Sequence, residues 1–123
     1  MMESLLMIKN NIILVPFPFD DLSASKVRPA ICLTSEIGKQ NHVIIAFITS
    51  KIPDDQVESD LIIKKDSGNS SGTGLLVDSV IRLHKIVTIP SSLIKRKLGS
   101  INKVLEIEIE VERKLKSRFK IKV

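Results

Sequence analysis

Leu105-Glu106-Ile107-Glu108-Ile109-Glu110-Val111-Glu112 alternates apolar and acidic side chains without a break. Read with a period of two, it is a strand with one acidic face. Read with a helical period, Ile107, Val111 and Leu115 fall at i, i+4 and i+8, with Val104 on the same face. The segment from Lys103 to Arg118 holds no Gly or Pro, and Asn102 is suited to an N-cap. Glu110 with Lys114 and Glu112 with Lys116 are i, i+4 pairs in the favourable order. Length therefore favours a helix over about Lys103 to Ser117, while the pattern alone decides less.

Outward from this segment the chain is a series of short β-rich runs. Ile12 to Phe19 is a strand that runs out to an edge or bend, because Pro16 and Pro18 cannot donate ladder hydrogen bonds. Asp20 to Val27 is a small, polar loop. Ala30 to Thr34 is a second strand, and Gly38 and Asn41 mark a turn. Val43 to Thr49, the most apolar run, is a third strand, and Asp60 to Lys65 a fourth. Between Ser67 and Gly74 three glycines and several serines spell a loop, read as flexible. Val77 to Leu83 and Ile86 to Ile89 are two further short strands, and Ser91 to Lys97 one or two helical turns. The reading is a mainly β fold, a small antiparallel barrel or sandwich, followed by a helix.

The 123 residues make one domain, 1–123, with 43% hydrophobic and 27% charged side chains, the balance of a folded globular protein. Apolar runs such as Ile12 to Val15 and Val43 to Ile48 are too short to cross a bilayer, so no membrane partner is expected. The N-terminal Met-Met-Glu-Ser-Leu-Leu-Met lacks the basic start and the length of a signal peptide. With one cysteine, Cys32, the expected setting is a reducing cytoplasm. His42, His84 and Cys32 lie outside metal-motif spacing, so neither metal nor other cofactor is expected. The net charge of +5 is uneven: residues 84–123 carry +7 and residues 1–83 carry −2. Such an excess suits an anionic partner, and a solvated basic tail accounts for it equally well.

Several residues could carry chemistry. Arg28 precedes Pro29 at a strand entrance, where a guanidinium can clamp a phosphate or pair with Asp20 or Asp21. Thr49 and Ser50 close the third strand, where hydroxyls donate to a phosphate or cap a turn. Arg82 and His84 share a strand face, as a phosphoester pair or as a polar outer surface. Gly68 to Gly74 is not a phosphate loop: it lacks the GxxxxGK[ST] pattern and does not lead into a helix. Four phenylalanines and no Trp or Tyr leave no broad base-stacking platform, and Phe17 or Phe19 could stack one base at most.

Taken together these residues resemble a known family. Ile13-Leu-Val-Pro-Phe-Pro-Phe-Asp-Asp-Leu-Ser, then Lys26-Val-Arg-Pro-Ala-Ile-Cys-Leu, is similar to the opening of the PemK/MazF-like toxins of type II toxin–antitoxin systems. Ala46-Phe-Ile-Thr-Ser matches their third-strand ending. Gly74 through Asp78-Ser-Val-Ile-Arg-Leu to Val87-Thr-Ile matches their later strands, and Lys97-Leu-Gly before an acidic helix their C-terminus. The likeness spans nearly the whole chain in order. Three positions depart from it: Asn10 and Asn11 stand where the family usually has Gly-Asp, and His84 where some members have an aspartate. The loop between the first two strands is also short and lacks the acidic or glutamine residues that some members place there.

The resemblance implies an SH3-like or CcdB-like small barrel with a C-terminal helix, and a homodimer with single-stranded RNA in a groove across it. It implies metal-independent RNA cleavage through the substrate's own 2′-OH, giving 2′,3′-cyclic phosphate and 5′-OH ends. Arg28 and Thr49 take the catalytic positions, and Ser50, Arg82 and His84 become candidates for phosphate contact or proton transfer. Phe17, Ser25 and Lys26, in and beside the first loop, become candidates for RNA binding. A cognate antitoxin is the implied protein partner. Two rivals stand against this: a CcdB-like topoisomerase poison, which the absence of Trp disfavours, and a catalytically silent barrel that only binds RNA or an antitoxin.

Overall fold

The computed structural model describes residues 8–16, 26–102 and 104–121. Phe17, Ser25 and most of the first loop lie outside them. Six strands form one antiparallel sheet: β1 (Asn11–Pro16), β2 (Val27–Cys32), β3 (His42–Thr49), β4 (Asp60–Ile63), β5 (Ser79–Pro90) and β6 (Arg96–Ser100). Among the described residues one α-helix, α1 (Leu105–Phe119), follows β6. The strand order is β4-β5-β3-β2-β1-β6, so sequence neighbours pair except that β5 lies between β3 and β4 and that β6 returns to β1. The sheet curls into a half-barrel. Among the described residues no helix is long and apolar enough to cross a membrane.

Alternate residues of the central strands enter two cores. Ile12, Ile31, Ala46, Ile48, Ile81 and Leu83 pack with Ile107 and Val111 of α1. Their neighbours Ile13, Val15, Ala30, Cys32, Val43, Ile45 and Phe47 form the second cluster. Burial on both faces explains why these strands read as apolar runs rather than as clean alternation. It also pushes the Cys32 thiol pKa up to about 12, which keeps it protonated and inert.

The helical reading of 105–112 is the right one, and burial gives the reason. As a helix, the segment sets Ile107 and Val111 into the core at 4% exposure each, worth about 1.5–3 kcal/mol per side chain. Leu105 and Ile109 stay exposed on the other side. The start differs from expectation: Val104 takes the N-cap position, and Asn102 Oδ1 instead accepts from Asn10 Nδ2 at 3.0 Å. The expected Glu110–Lys114 pair is replaced. Glu110 takes the Arg113 fork, while Lys114 Nζ donates to the Glu58 carbonyl at 2.6 Å and ties the helix to the β3–β4 connection. At the far end Lys120 turns left-handed (φ 56°), and the Ile121 N–H closes on the Lys116 carbonyl, a Schellman cap.

Three local expectations are corrected. Ser91 to Lys97 is a single 3-10 turn, Ser91–Leu93, followed by β6, whose Arg-Lys-Leu-Gly-Ser carries no strand signal except its edge pairing with β1. The two short strands at Val77 to Ile89 are one strand, β5, broken in register. The Ser67 to Gly74 loop is not loose. Ser100 N–H donates to the Gly72 carbonyl at 2.8 Å, and a Cβ on Gly99 would lie 2.3 Å from that same oxygen. Gly72 and Gly74 have φ of 82° and 76°. The glycines let this loop press backbone to backbone on β6. Asn10, where the resemblance expects Gly, also holds a positive φ of 73°, which asparagine tolerates.

Candidate functional site

The β2–β3 ladder pairs Cys32 with Ile45, Ile31 with Ala46 and Ala30 with Phe47, and ends there. The next residue of β2 is Pro29, which has no N–H to continue it. The seam opens at this point. The register, extended two residues, sets Arg28 opposite Thr49. Both line one groove of about 1030 Å³, together with Pro29, Ile48 and Ser50. Arg28 is exposed and Thr49 half-buried. Thr49 Oγ1 accepts from the Lys51 N–H at 3.0 Å, which leaves its own proton to donate into the groove.

A second break feeds the same groove from β5. Between Ala46–Ile86 and Ile48–Ile81, β3 spends one residue, Phe47, where β5 runs through Arg82 to Lys85. Bulges of this kind re-aim side chains. Here both Arg82 and Lys85 reach the groove lining. Arg82 is held from behind. Its Nε donates to Asp60 Oδ1 at 2.9 Å and its Nη2 to Asp60 Oδ2 at 3.2 Å. The Val57 N–H donates to Oδ2 at 3.1 Å. The Asp60 side chain is 1% exposed. Burial pushes its carboxyl up, but the Arg82 guanidinium and the Val57 N–H outweigh that and hold it below the usual carboxylate range.

His84 shares the face of Arg82, as the period-two spacing requires, yet it does not line the groove. Its Nδ1 is 2.8 Å from Ser59 Oγ and 4.0 Å from Asp60 Oδ1. Burial, with the Arg82 charge next, lowers its pKa from 6.5, and the Asp60 carboxylate offsets part of this. The neutral ring is the favoured form. Lys26 is exposed and precedes β2. Phe17 and Ser25 lie outside the described residues.

Arg28, Thr49, Ser50 and Arg82 thus share one groove, and His84 stands behind it. Lys51, Lys85 and Arg96 line it too and were not singled out in the sequence. Asp60 was passed over as the start of a strand. Its only sequence signal is an acid whose partner appears once the β4–β5 register, Asp60 with Arg82, is known. Among the described residues the groove lining carries five cationic side chains (Arg28, Lys51, Arg82, Lys85 and Arg96) and one carboxylate, Asp54, with Arg82 also paired to Asp60. A lining of this balance favours anions. Ile52, Leu76 and Val77 add exposed apolar surface to it. Among the described residues no three His, Cys, Asp or Glu side chains gather as a metal site would need.

Comparison with known proteins agrees with this architecture. The chain is similar in structure to the Mycobacterium tuberculosis toxin MazF-mt6, with a TM-score of 0.67, 19% identity, and 92% of this chain and 99% of that one covered. It is similar to an endoribonuclease solved with its cognate antitoxin from a mycobacterial species, with a TM-score of 0.65, 10% identity, and 94% and 97% covered. A third likeness is to an Mtb toxin, with a TM-score of 0.61, 19% identity, and 86% and 97% covered. At these identities the likeness is one of fold. A search of curated protein sequences finds no match. The sequence profile of the PemK-like, MazF-like toxins of type II toxin-antitoxin systems matches residues 9–119, nearly the whole chain, and the protein belongs to that family.

Proposed function

We propose that this toxin cuts single-stranded RNA without a metal, and that its groove is where the cut is made. The observation that carries the reading is that Arg28 and Thr49 line one groove at the open β2–β3 seam, with Lys51, Lys85 and Arg96 in the same lining. RNA brings its own nucleophile. The 2′-oxygen attacks the adjacent phosphorus, the bond to the 5′-oxygen breaks, and the 2′ proton is lost as the leaving oxygen gains one. The products are a 2′,3′-cyclic phosphate and a 5′-OH. The protein's task is to hold the 2′-oxygen, the phosphorus and the 5′-oxygen in line and to meet the charge that grows on the non-bridging oxygens.

Arg28 meets that charge with a planar fork, Thr49 donates its hydroxyl to a second oxygen, and Ser50 stands beside it. Lys51, Lys85 and Arg96 grip flanking phosphates, and Lys26 contacts the RNA at the entrance to β2, with Phe17 and Ser25, which lie outside the described residues, as further candidates for RNA binding. A homodimer would extend the groove across two copies. A cognate antitoxin with an acidic or amphipathic tail would block it, since Ile52, Leu76 and Val77 offer that tail apolar contacts between the cations.

The test is long single-stranded RNA incubated with the purified toxin, with and without EDTA, followed by end-group analysis. Cleavage that survives EDTA and leaves cyclic phosphate ends is the expected result. No cleavage, or cleavage that EDTA abolishes, overturns the reading. An antitoxin that binds tightly while cleavage continues would refute occlusion of the groove.

A further inference from the structure

We infer that Asp60 is a positioning residue of this groove, fixing the Arg82 guanidinium so that its remaining edge faces the RNA backbone; the inference rests on the cleavage reading above. Arg82 lies where the β3–β5 ladder is lost, so that ladder does not fix it. Asp60, its cross-strand partner on β4, does. Both carboxylate oxygens are engaged by the guanidinium, and Oδ2 is held again by the Val57 N–H. The carboxylate therefore cannot turn, and the Arg82 fork cannot turn on it. Nε and Nη2 are taken by Asp60, which leaves the Nη1 end for an anion in the groove that Arg82 lines.

Burial makes this more than a surface ion pair. Asp60 is 1% exposed and Arg82 19%. A buried pair is seldom more stabilising than apolar residues of the same shape, so stability alone is a weak reason for it. A fixed cation in the groove that Arg28 and Thr49 also line is a better one. Preorganised charge acts on a phosphorane without reorganising as the reaction proceeds.

The test is a double-mutant cycle on the full chain with Asp60→Asn, Arg82→Ala and the pair. Two readouts are used: cleavage of single-stranded RNA, and anisotropy of a 2′-O-methyl oligonucleotide that cannot be cut. Asp60→Asn should lower kcat about ten- to a hundredfold, the cost of an ångström of misplacement. Affinity for the uncut strand should fall about threefold, the worth of one partly exposed charge contact. In the Arg82→Ala background Asp60→Asn should add nothing to either loss, whereas a merely structural role would multiply through. Independent losses, or a wild-type rate in Asp60→Asn, overturn the inference.

Should Asp60→Asn not fold, Arg82→Lys decides. It keeps the charge and Asp60 but cannot form the fork, and it should cut no better than a few-fold above Arg82→Ala. A wild-type rate there overturns the inference as well. A wild-type chain that binds the uncut strand but cleaves nothing refutes the cleavage reading alone, and the cycle in affinity then judges Asp60. A chain that neither binds nor cuts overturns both.

Discussion

The groove is built from two kinds of residue that reach it by different physics. Arg28 and Thr49 arrive by register: a proline ends a ladder, and the pair beyond it falls open. Gly74 to Val77, Arg82 and Lys85 arrive by irregularity, through a loop pressed onto β6 and a three-residue excess in β5. Register follows from local sequence, because alternation and proline chemistry are local. Irregularity depends on which backbone a segment meets, and the meeting partners are far apart in the chain. The first group should therefore fail chemically when mutated and leave the fold intact, and the second should fail through the fold.

Arg28→Ala is the sharpest test of that division. Losing one preorganised donor costs about a hundred- to a thousandfold in cleavage rate. Arg28 is exposed at a strand entrance, so the melt should move by no more than about 0.5 kcal/mol. Arg28→Lys should recover little, because an ammonium cannot make the bidentate contact. Cleavage rates measured beside circular dichroism melts check both halves. A large loss of stability would put Arg28 with the second group.

Gly99→Ala should do the reverse. Its Cβ would stand 2.3 Å from the Gly72 carbonyl oxygen and 2.4 Å from the Thr73 carbonyl carbon, both backbone atoms that cannot swing away. The expected cost is about 1–3 kcal/mol of stability, as for other overpacked sites. Gly68→Ala is the control, since nothing lies within 4 Å of its Cβ, and it should change stability by about 0.5 kcal/mol or less. Denaturant midpoints for the two variants make the comparison. Equal midpoints would mean that the loop yields and that the groove wall it forms is soft.

The same division explains what could be read in advance. β1, β3 and β4 were legible as apolar runs beside turn residues. The sequence reads β2 over Ala30 to Thr34, but it runs from Val27 to Cys32, because pairing with β1 carries it back through Arg28 and Pro29. The helix was legible chiefly from length, since Lys103 to Arg118 holds no Gly or Pro, with Ile107, Val111 and Leu115 on one face as the weaker sign. β6 was not, because Arg96-Lys97-Leu98-Gly99-Ser100 is charged and half-exposed, and pairing with β1 alone makes it a strand. The bulge in β5 left a trace, the gap between Leu83 and Ile86, but the gap looked like a turn between two strands. Arg28, Thr49 and Ser50 could be placed near one another from strand ends. Lys51, Lys85 and Arg96 could be counted as charge but not aimed, and Asp60 could not be matched to Arg82 without the β4–β5 register.

Thr49→Val tests the register group at lower amplitude. It keeps the β-branch that suits a strand and removes the hydroxyl. The rate should fall about tenfold, the worth of one hydrogen bond to a charged oxygen, and Thr49→Ser should restore most of it. If valine cuts like wild type, the groove needs the shape of Thr49 and not its proton, and the donor must be sought at Ser50.

The smallest effect belongs to His84, which stands behind the groove and tests whether the clamp region reports pH at all. Asp60 and Ser59 face it from the β4 side, Arg82 and Lys85 from its own strand, and Arg118 from α1. Burial, then the Arg82 charge, lowers its folded-state pKa from 6.5. The unfolded chain therefore binds a proton more readily than the fold does, so stability is fully present above 6.5 and is lost as pH falls through the lowered folded value. Asp60 is also lowered, from 3.8, so its contribution persists through this window and fades only in stronger acid. The two titrations are thereby separated. With the His84 side chain 32% exposed, solvent screens the effect and the slope should be shallow. Urea midpoints from about pH 5 to 8, where imidazoles titrate, should rise with pH in the wild type and flatten in His84→Asn. Equal slopes would assign the titration elsewhere. A flattened slope with unchanged cleavage would show that the ring serves the fold behind Arg82 and not the reaction in front of it.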